Sequence, residues 1–481
     1  ALPISKQLAS GEAIISYNAS LDIEIPDLTS YDLTNSLEKL EAERIDGLYT
    51  PKFNDPESAV QLRQLYNARR KLALEGLDTD WMAKPLQNGI GNRHSLSVEL
   101  GENDLRVQAN LTYREIEGAM KGSSRENLDG SLTALYRINN FLFSNSMRII
   151  DLNQQDSPYG EFSEYTKMNP YWRAENINGS IPYYAEIGPN GTSYTNPLHN
   201  STLDSRLESG YLNFINNFYL EWSFLPDFKV TSRVGVNVKR NNADEFYPAN
   251  HTMFENYVGD SEQRKGFYQV NTGKSTYLNG DVNLQYNKTV NKHFYFANVG
   301  FNIAENKYSE LIHKAEGFPS SRMDDIIFAR DYALDSRPTG ISSINRELGF
   351  LGVGSYVWDD RFLSDVTLRT SASSQFGSES RWANFWSVGL GWNLHNETFM
   401  QGLGLNQFKV RGSVGSTGNQ NFNTNESIAT YSYFMNSRYQ GFPGSYVQNL
   451  ANPFLQWETK MDYNAGIDMR LGGLAVRFDY Y

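Results

Sequence analysis

The sequence has no cysteine among its 481 residues. This absence excludes a disulfide scaffold, a thiolate metal site and a cysteine nucleophile. The chain also has no uninterrupted run of about 18 apolar residues, so it contains no spanning helix. Basic residues are outnumbered by acidic ones, which gives a formal net charge of -12 at pH 7. This balance argues against nucleic acid as a partner, because nucleic-acid binders need a basic surface.

Aromatic residues are abundant: 30 Tyr, 27 Phe and 8 Trp make up 14% of the chain, whose mean hydropathy is only -0.54. In a transmembrane β-barrel every second residue of a strand faces lipid, so a polar average is compatible with a membrane wall. Aromatic residues form the girdles of such barrels, and they also line sugar-binding surfaces. The composition therefore leaves both a barrel and a sugar-binding β-protein open.

The end of the chain has the clearest pattern, a β-hairpin of residues 462–471 and 474–480 joined by Gly472-Gly473. Apolar and polar residues alternate with period 2, and the two-residue turn sets the register. The predicted cross-strand pairs are Leu471 with Leu474, Met469 with Val476, Ile467 with Phe478, and Asp468 with Arg477. We expect the apolar face to contact lipid, and Asp468 and Arg477 to pair on the lumen wall.

The same alternation recurs along the chain and predicts roughly fifteen strands, with two helices in the first long connection. One helix covers about residues 35–44, and the other runs from its N-cap Asp55, with Pro56 at the first position, to Gly76. The predicted strands are 11–23, about 93–100, 105–113, 128–138, 141–150, 212–224, 228–238, 275–287, 294–303, 347–358, 361–371, 385–394, 406–414, 462–471 and 474–480.

The connections between these strands are alternately short and long. The long ones are expected near residues 24–93, 151–210, 241–274, 304–346, 373–384 and 415–460. Outer-membrane barrels have tight periplasmic turns and extended extracellular loops, whereas a soluble sandwich or propeller has no reason to alternate them. The predicted fold class is therefore all-β, a large antiparallel transmembrane β-barrel. Because closure normally needs an even number of strands, the odd count predicts that barrel sequence is missing from this chain.

Several segments resemble one known family in order and spacing. They are residues 411–420 (RGSVGSTGNQ), 452–458 (NPFLQWE), 466–468 and 479–481, with further matches at 79–81, 317–319, 328–329, 373–377, 381–382, Phe385 and 391–392. Together they resemble the barrel of SusC/RagA-type TonB-dependent transporters across nearly the whole chain. The chain departs from the family at 369–374, where Arg-x-Asp-Gly-Ser-Ser is usual, and at 100–102, where Ser-Gly-Gly is usual.

The resemblance implies an active importer of oligosaccharides that performs no chemistry and needs no cofactor. Residues 1–10 would end a plug domain or connect it to the barrel, and residues 11–481 would be part of a barrel of about 22 strands. The implied partners are a SusD-like surface lipoprotein as lid and TonB-ExbB-ExbD, in the outer membrane of a Gram-negative, Bacteroidetes-like bacterium. A dimer of transporter–lid pairs is compatible with the resemblance.

Three other functions stay open at this stage. Import of peptides of the RagA kind uses the same architecture, and a passive porin or adhesin barrel needs neither plug nor lid. A secreted glycan-binding or hydrolytic β-protein is the third. A plug with a TonB box upstream would favour the transporter, and an upstream catalytic domain would favour the enzyme.

Candidate catalytic and metal motifs have weak support. The run from Gly412 to Gly418 lacks the Lys-Ser/Thr ending and the following helix of a phosphate-binding loop. The pairs 324–325 and 359–360 are adjacent aspartates, whose side chains point apart on an extended chain, and the second pair lies at a predicted turn. The six histidines show no close metal-ligand spacing. We therefore expect no catalytic residue and no metal site.

Aromatic and polar residues in the long loops are the better candidates for ligand contact, because aromatic faces beside amide and charged groups suit sugars or extended peptides. The candidate substrate-binding residues are Arg381, Trp382, Asn419, Gln420, Tyr431, Tyr433 and Trp457. A second aromatic group lies at Tyr165, Tyr171, Trp172, Tyr183 and Tyr184. The alternative for each loop is that its aromatic residues pack on the loop itself or on a partner.

Overall fold

One antiparallel sheet of 16 strands dominates the structure, a computed structural model that describes residues 11–51, 55–102, 104–189, 191–334, 336–400, 404–420 and 426–481. Fifteen of its strands form a single path in chain order, in which each strand is hydrogen-bonded to the next. They are β1 (Glu12–Glu24), β2 (Gly89–Glu102), β3 (Leu105–Glu117), β4 (Ser124–Ile138), β5 (Phe141–Gln155), β8 (Arg206–Leu225), β9 (Phe228–Tyr247), β10 (Phe267–Val290), β11 (His293–Glu316), β13 (Thr339–Trp358), β14 (Phe362–Ser373), β15 (Trp382–Asn393), β16 (Leu405–Asn419), β19 (Glu458–Leu471) and β20 (Leu474–Tyr480).

The other strands belong to the connections. They are β6 (Tyr184–Ile187), which pairs with β7 (Ser193–Thr195), the short β12 (Asp331–Tyr332) on the end of β11, and β17 (Thr430–Tyr439), which pairs with β18 (Phe442–Asn449). The helices are α1 (Ser36–Ile45), α2 (Pro56–Leu74) and α3 (Phe162–Thr166). No helix among the described residues has the length and apolar composition needed to span a membrane.

The predicted strands and turns are present, but several strands are longer than their alternation indicated. β10 and β11 each have 24 residues, whereas about 9–11 residues suffice to cross a membrane. The strands therefore extend into the predicted long connections, which shortens 241–274 to 248–266 and 304–346 to 317–338. The predicted plug connection, residues 1–10, lies outside the described residues.

The short turns explain how consecutive strands reverse. Asn139, Asn291, Asp359 and Asp360 have positive φ angles of 47°, 50°, 52° and 54°. Asn and Asp tolerate this left-handed conformation better than most residues with a side chain, because their short polar groups can bond locally. Asp359 and Asp360 are therefore turn residues, as the sequence predicted, and do not form a catalytic pair.

The two helices predicted in the first long connection are confirmed by their caps. Asn35 caps α1 with its side-chain oxygen, which accepts from the N–H groups of Leu37 and Glu38, and the Glu38 carboxylate accepts from the N–H of Asn35. Asp55 caps α2 by accepting from the N–H groups of Glu57 and Ser58, with Pro56 at the first helical position. Such caps satisfy N–H groups that have no partner inside the helix.

The sheet has two faces of opposite chemistry. On β14, Asp365, Thr367 and Arg369 lie on the face that lines a cavity, which we call the inner face. The opposite, outer face carries large apolar side chains that remain exposed, such as Val299 at 64% and Leu390 at 64%. An apolar surface of this extent indicates contact with lipid or a partner. The predicted alternation of a barrel wall is therefore confirmed by the pairing register.

A belt of aromatic rings surrounds the short-turn end of the outer face. Rings on the same or neighbouring strands have centroids 4.7 to 5.7 Å apart, in the pairs Phe141–Trp222, Trp222–Phe224, Phe224–Phe228, Phe228–Tyr286, Tyr295–Tyr356, Trp358–Phe362 and Phe362–Trp392. Transmembrane barrels have such girdles where the wall meets the lipid headgroups. The belt thus marks one boundary of the apolar band.

The final hairpin has the predicted register. Leu471 pairs with Leu474, Met469 with Val476, Ile467 with Phe478, and Asp468 with Arg477. Arg477 Nε donates to Asp468 Oδ1 at 2.8 Å, and Arg411 of β16 donates to the other Asp468 oxygen at 3.1 Å and also pairs with Asp479. The predicted pair is therefore part of a four-residue charge network on the polar face.

We predict that Met469→Arg prevents assembly of the full-length barrel, because it places a charge on the apolar face at a cost of roughly 2 to 4 kcal/mol near the membrane midplane. Arg477→Gln is the matched control and should assemble normally, since Arg411 still pairs with Asp468. Heat-modifiable mobility in electrophoresis of outer membranes measures assembly. Normal assembly of Met469→Arg would contradict the assignment of this face to lipid.

Candidate functional site

A cavity of about 740 Å³ lies on the inner face, where the strands from β11 to β19 meet the connections above them. Hydroxyl and amide side chains make up much of its lining: Asn302, Thr367, Ser371, Ser387, Ser413, Thr417, Gln420 and Asn464. Those on strands lie at positions whose parity points to the inner face, because the strands pair without a register shift around the cavity, and Gln420 follows the end of β16. The cavity therefore follows directly from the alternation of the strands.

Trp457 and Phe385 form an aromatic wall of this cavity. Their ring centroids are 5.4 Å apart in an edge-to-face arrangement, and the ring of Phe376, which is only 1% exposed, lies 4.5 Å from Trp457. Trp457 Nε1 donates to the backbone oxygen of Arg381 at 3.1 Å. The indole is therefore held in place from two sides, by a buried ring and by a backbone hydrogen bond.

Two backbone hydrogen bonds fix the segment that carries Trp457. The N–H of Gly377 donates to the oxygen of Leu455 at 3.0 Å, and the N–H of Glu379 donates to the oxygen of Pro453 at 3.1 Å. A Cβ at Gly377 would lie 2.1 Å from the backbone oxygen of Pro453, so only glycine allows the two segments to approach this closely. The 373–377 and 452–458 motifs are thus adjacent in space and together build the cavity wall.

Gln420 provides a second predicted contact. Its Nε2 donates to Glu347 Oε1 at 2.8 Å across 73 residues of sequence. Its Oε1 is buried and has no hydrogen-bond donor among the described residues. An acceptor in this position can bind a donor from a ligand or a water molecule.

The charges of the cavity are mainly acidic. Glu347, Asp365 and Asp462 carry carboxylates, of which Asp462 pairs with Lys460 at 2.6 Å, and Arg369 is the guanidinium that lines the same cavity. Asp365 accepts a hydrogen bond from the Ser355 hydroxyl at 2.6 Å, a contact that leaves its negative charge uncompensated. The lining therefore favours neutral or cationic ligands over anionic ones.

The structure separates the predicted substrate-binding residues into three groups. Gln420 and Trp457 line the cavity, and the backbone of Arg381 supports Trp457. Asn419 lies beside the cavity, with its Nδ2 3.4 Å from Glu458 Oε2. The remaining three lie elsewhere: Trp382 stacks on Phe350 of the outer face, and Tyr431 and Tyr433 are exposed on β17.

Most residues that line the cavity were not predicted from the sequence, and four of them show why. Glu347, Arg369 and Asp365 lie inside strands whose alternation gave no sign of a ligand contact. Phe385 was part of the family resemblance but was not proposed as a contact. Their common signal is an inner-face position next to the 452–458 motif, which becomes visible only when the pairing of β13 to β19 is known.

A helical lobe packs above the first strands and contains most of the second aromatic group. Tyr165, Tyr171 and Trp172 are buried with Leu40 of α1 and Trp81 in one hydrophobic cluster. For these three aromatic residues the structure supports the alternative prediction, in which the loop packs on itself. Tyr183 and Tyr184 lie beside this cluster as an edge-to-face pair at 4.7 Å.

Arg69 of α2 forms the polar centre of the lobe. Its Nε donates to Glu186 Oε1 at 2.9 Å, and a second nitrogen donates to the Tyr49 hydroxyl at 2.8 Å. Burial opposes the charged form of Arg69, but its hydrogen bond to Glu186 and the nearby Tyr171 hold its pKa above the usual range. Burial also raises the pKa of Tyr49 to about 12, so the tyrosine stays neutral. The network links α2 to the β6–β7 hairpin.

Two connections meet at a pair of histidines beside the lobe. Asn200 Nδ2 donates to the Thr252 hydroxyl at 2.7 Å, and the N–H of Thr252 donates back to Asn200 Oδ1 at 3.0 Å. Burial, together with the nearby His199, lowers the pKa of the adjacent His251 to about 4. His251 is therefore neutral at physiological pH and acquires a charge only in acid.

We predict that the contact between residues 196–202 and 251–255 weakens as the pH falls from about 6.5 towards 4. The unfolded imidazole binds a proton below about 6.5, whereas the folded one resists until about 4, so the stabilisation is lost with acidity, by up to about 3 kcal/mol. Hydrogen exchange of both segments at pH 7.5 and 4.5 measures this. The control His251→Gln should show no such pH dependence, and equal exchange of the wild type at both pH values would contradict the prediction.

No protein-family model matches the chain. Among curated proteins, it is 26% identical over 392 residues to TonB-dependent receptor P39 of Formosa agariphila, which covers 80% of this chain and 36% of that protein. It is 23% identical over 453 residues to TonB-dependent receptor SusC of Bacteroides thetaiotaomicron, which covers 86% of this chain and 42% of SusC. The chain thus spans about two fifths of the length of the curated relatives it matches.

Solved structures of a RagAB peptide transporter show the same fold. One matches 95% of this chain and 52% of its own chain with a TM-score of 0.76 and 18% identity. The closed-closed state of the RagAB peptide importer matches 99% of this chain and 55% of its own with a TM-score of 0.79 and 18% identity. These matches confirm the resemblance on which the sequence prediction relied, and the relatives are named as receptors and transporters, in agreement with the expectation that the chain is not an enzyme.

Proposed function

We propose that this chain, which is similar to the barrel part of SusC/RagA-type TonB-dependent transporters, forms the wall of an active importer in the outer membrane of a Gram-negative bacterium. The apolar outer face, the aromatic belt and the polar inner face support a membrane wall around a watery lumen. The names of the sequence relatives support coupling to TonB. The observation that favours import over a passive porin is the match to these receptors over most of the chain.

The proposed substrates are neutral oligosaccharides. The observation that carries this proposal is the aromatic wall of Trp457 and Phe385, which faces a lining of hydroxyl and amide groups in one cavity. A flat ring contacts the apolar face of a sugar while amides and hydroxyls bond to its hydroxyl groups. Glu347 and Asp365 outnumber Arg369, while Asp462 is paired with Lys460, and this excess of carboxylates disfavours uronic and sulfated sugars.

Peptides are the second candidate substrate. The favouring observation is the match to RagAB, which is described as a peptide transporter. Amides and hydroxyls also bond to a peptide backbone, and the acidic lining suits basic side chains. The two substrates differ in how they use the aromatic wall. Every ring of an oligosaccharide can stack on it, whereas most residues of a peptide cannot.

We predict that deletion of the gene abolishes uptake of labelled neutral oligosaccharides. The Trp457→Ala variant, expressed in the deletion strain, should assemble normally but bind these sugars about tenfold more weakly, because one aromatic contact is lost. The matched control is Trp382→Ala, which removes an indole from the outer face. Uptake of acidic sugars and of peptides is measured in the same strains. Unchanged sugar uptake in the deletion strain, with lost peptide uptake, would assign the protein to peptides.

A SusD-like surface lipoprotein is the proposed partner, with TonB-ExbB-ExbD supplying energy through regions outside this chain. The support is the size of the long connections between β1 and β2 and between β5 and β8, whose described residues build a lobe with its own hydrophobic cluster that exceeds ordinary loops. A lobe of this kind offers a broad docking surface above the lumen.

We predict that the full-length protein co-purifies with such a lipoprotein from native outer membranes in mild detergent. Mass spectrometry of the purified complex identifies the partner. Replacement of the exposed β17–β18 hairpin by a short linker tests whether the distal loops contribute to the contact. Recovery of the barrel alone, with its neighbouring genes intact, would count against the partner.

A further inference from the structure

Asparagines lie directly opposite glycines at several positions of the inner face. In the pairing register Asn279 and Asn217 flank Gly235 from both neighbouring strands, Asn283 is opposite Gly300, and Asn302 is opposite Gly349. The same arrangement recurs higher on the wall, where Asn241 is opposite Gly273. Five consecutive strands, from β8 to β13 along the sheet path, thus carry one repeated cross-strand pair.

Each of these asparagine side chains lies flat over its glycine. A Cβ built on Gly235, Gly300 or Gly349 would come within 3.0 Å of the amide oxygen of the opposite asparagine, a distance that real Cβ atoms essentially never show. At Gly273 the nearest atom is the amide nitrogen of Asn241, at 2.5 Å. Each amide therefore occupies the space that a side chain would fill if the opposite residue were not glycine.

Neighbouring residues hold one of these amides in its orientation. Asn283 Nδ2 donates to Asp281 Oδ2 at 2.8 Å, which leaves its oxygen against Gly300. The charge of Asp281 is opposed in register by Arg233 on β9, so the wall gains no net charge there. The result is a smooth, neutral surface of amide groups, which we call the asparagine–glycine strip: Asn217, Gly235, Asn279, Asn283, Gly300, Asn302 and Gly349.

Two further asparagines on the same face have an unpaired acceptor. Asn237 follows Gly235 by two residues, and Asn298 precedes Gly300 by two residues. The side-chain oxygen of each is buried without a hydrogen-bond donor among the described residues. Both oxygens have almost no solvent-accessible surface, so they belong to the packing of the wall, and the donors and acceptors offered to the lumen are those of the strip itself.

We propose that the asparagine–glycine strip is the surface along which a neutral, hydroxyl-bearing substrate moves away from the cavity. The strip begins at the cavity, because Asn302 belongs to both, and continues over four neighbouring strands. Flat amides provide donors and acceptors without narrowing the lumen, and the charges of Asp281 and Arg233 beside them oppose each other, so the strip has no net charge. This inference rests on the proposed import of oligosaccharides.

The test uses the full-length protein in its host membrane and separates binding from passage. Asn279→Ala and Asn283→Ala lie outside the cavity lining, so binding of a labelled neutral oligosaccharide to the purified protein should be unchanged. The initial uptake rate should fall about fivefold for each, which corresponds to the loss of about one net hydrogen bond. Thr276→Ala, on the outer face of β10, is the matched control and should behave as wild type.

The role of the glycines is tested by a double-mutant cycle. Gly300→Ala should slow uptake because its Cβ displaces the Asn283 amide, and Gly300→Ala combined with Asn283→Ala should be no slower than Asn283→Ala alone. Gly354→Ala on the same strand as Gly349 is the control, since a Cβ there meets nothing within 4 Å. Heat-modifiable mobility verifies that every variant assembles.

The outcomes distinguish this inference from the function it rests on. Wild-type uptake that is retained in full by the assembled Asn279→Ala and Asn283→Ala variants would overturn the strip, while the proposed function would stand. Absence of oligosaccharide uptake and binding in the wild type would instead overturn the proposed function, and the strip with it. Reduced binding in either asparagine variant would also overturn the strip, because these residues would then belong to the binding cavity.

Discussion

The hydrogen-bonded ladder from β1 to β20 is the constraint on which the rest of the structure depends. In hydrocarbon no water is present to bond to a free backbone group, so a membrane wall must satisfy every N–H and C=O from neighbouring strands. β10 meets this condition with 20 residue pairs to β9 and 24 to β11, without a register shift. Because the side-chain period is two, this continuous pairing also assigns each residue to the inner or the outer face.

The strands continue beyond what a membrane requires, and the protein uses the extra length to carry folded connections. The lobe with α1 and α2 has its own hydrophobic cluster, so its order does not depend on lipid. Arg69 shows how a charge is accommodated inside it: the guanidinium reaches Glu186 and the Tyr49 hydroxyl, and lies over the Tyr171 ring at 4.7 Å. Without these partners a buried charge would be strongly destabilising.

Local signals made much of the fold predictable. The caps Asn35 and Asp55 give the helix starts, and Gly472-Gly473 sets the register of the last hairpin, since each signal depends on residues a few positions apart. The full length of β10 was not predictable, because at its start Tyr268 and Val270 pack into a hydrophobic cluster of the connections, so apolar residues there do not mark a lipid-facing band. The β17–β18 hairpin was missed because its aromatic residues were interpreted as loop residues that contact a ligand.

The cavity was predicted only in part because it depends on contacts between distant segments. Trp457 and Gln420 were found from the family motifs, but the partner of Gln420 is Glu347, 73 residues away. The sequence alone does not show on which face of the sheet Trp382 lies, because the parity that places it on the outer face is known only once β14 and β15 are paired. A motif in a connection therefore does not show which face of the sheet its side chains lie on until the flanking strands are paired.

The chemistry of the inner face follows from what a transport surface must do. A site that binds a substrate strongly enough to capture it would also retain it, unless the contacts beyond it are weaker and numerous. The cavity combines a fixed aromatic wall with converging polar groups, whereas the wall beside it has flat amides over Gly235 and Gly300. Each amide contributes about one modest hydrogen bond, and the loss of one contact can be offset by the next. An inner face with strong contacts in the cavity and weak ones beside it is compatible with both capture and release. The outer face stays apolar throughout because alternate residues of each strand lie on it.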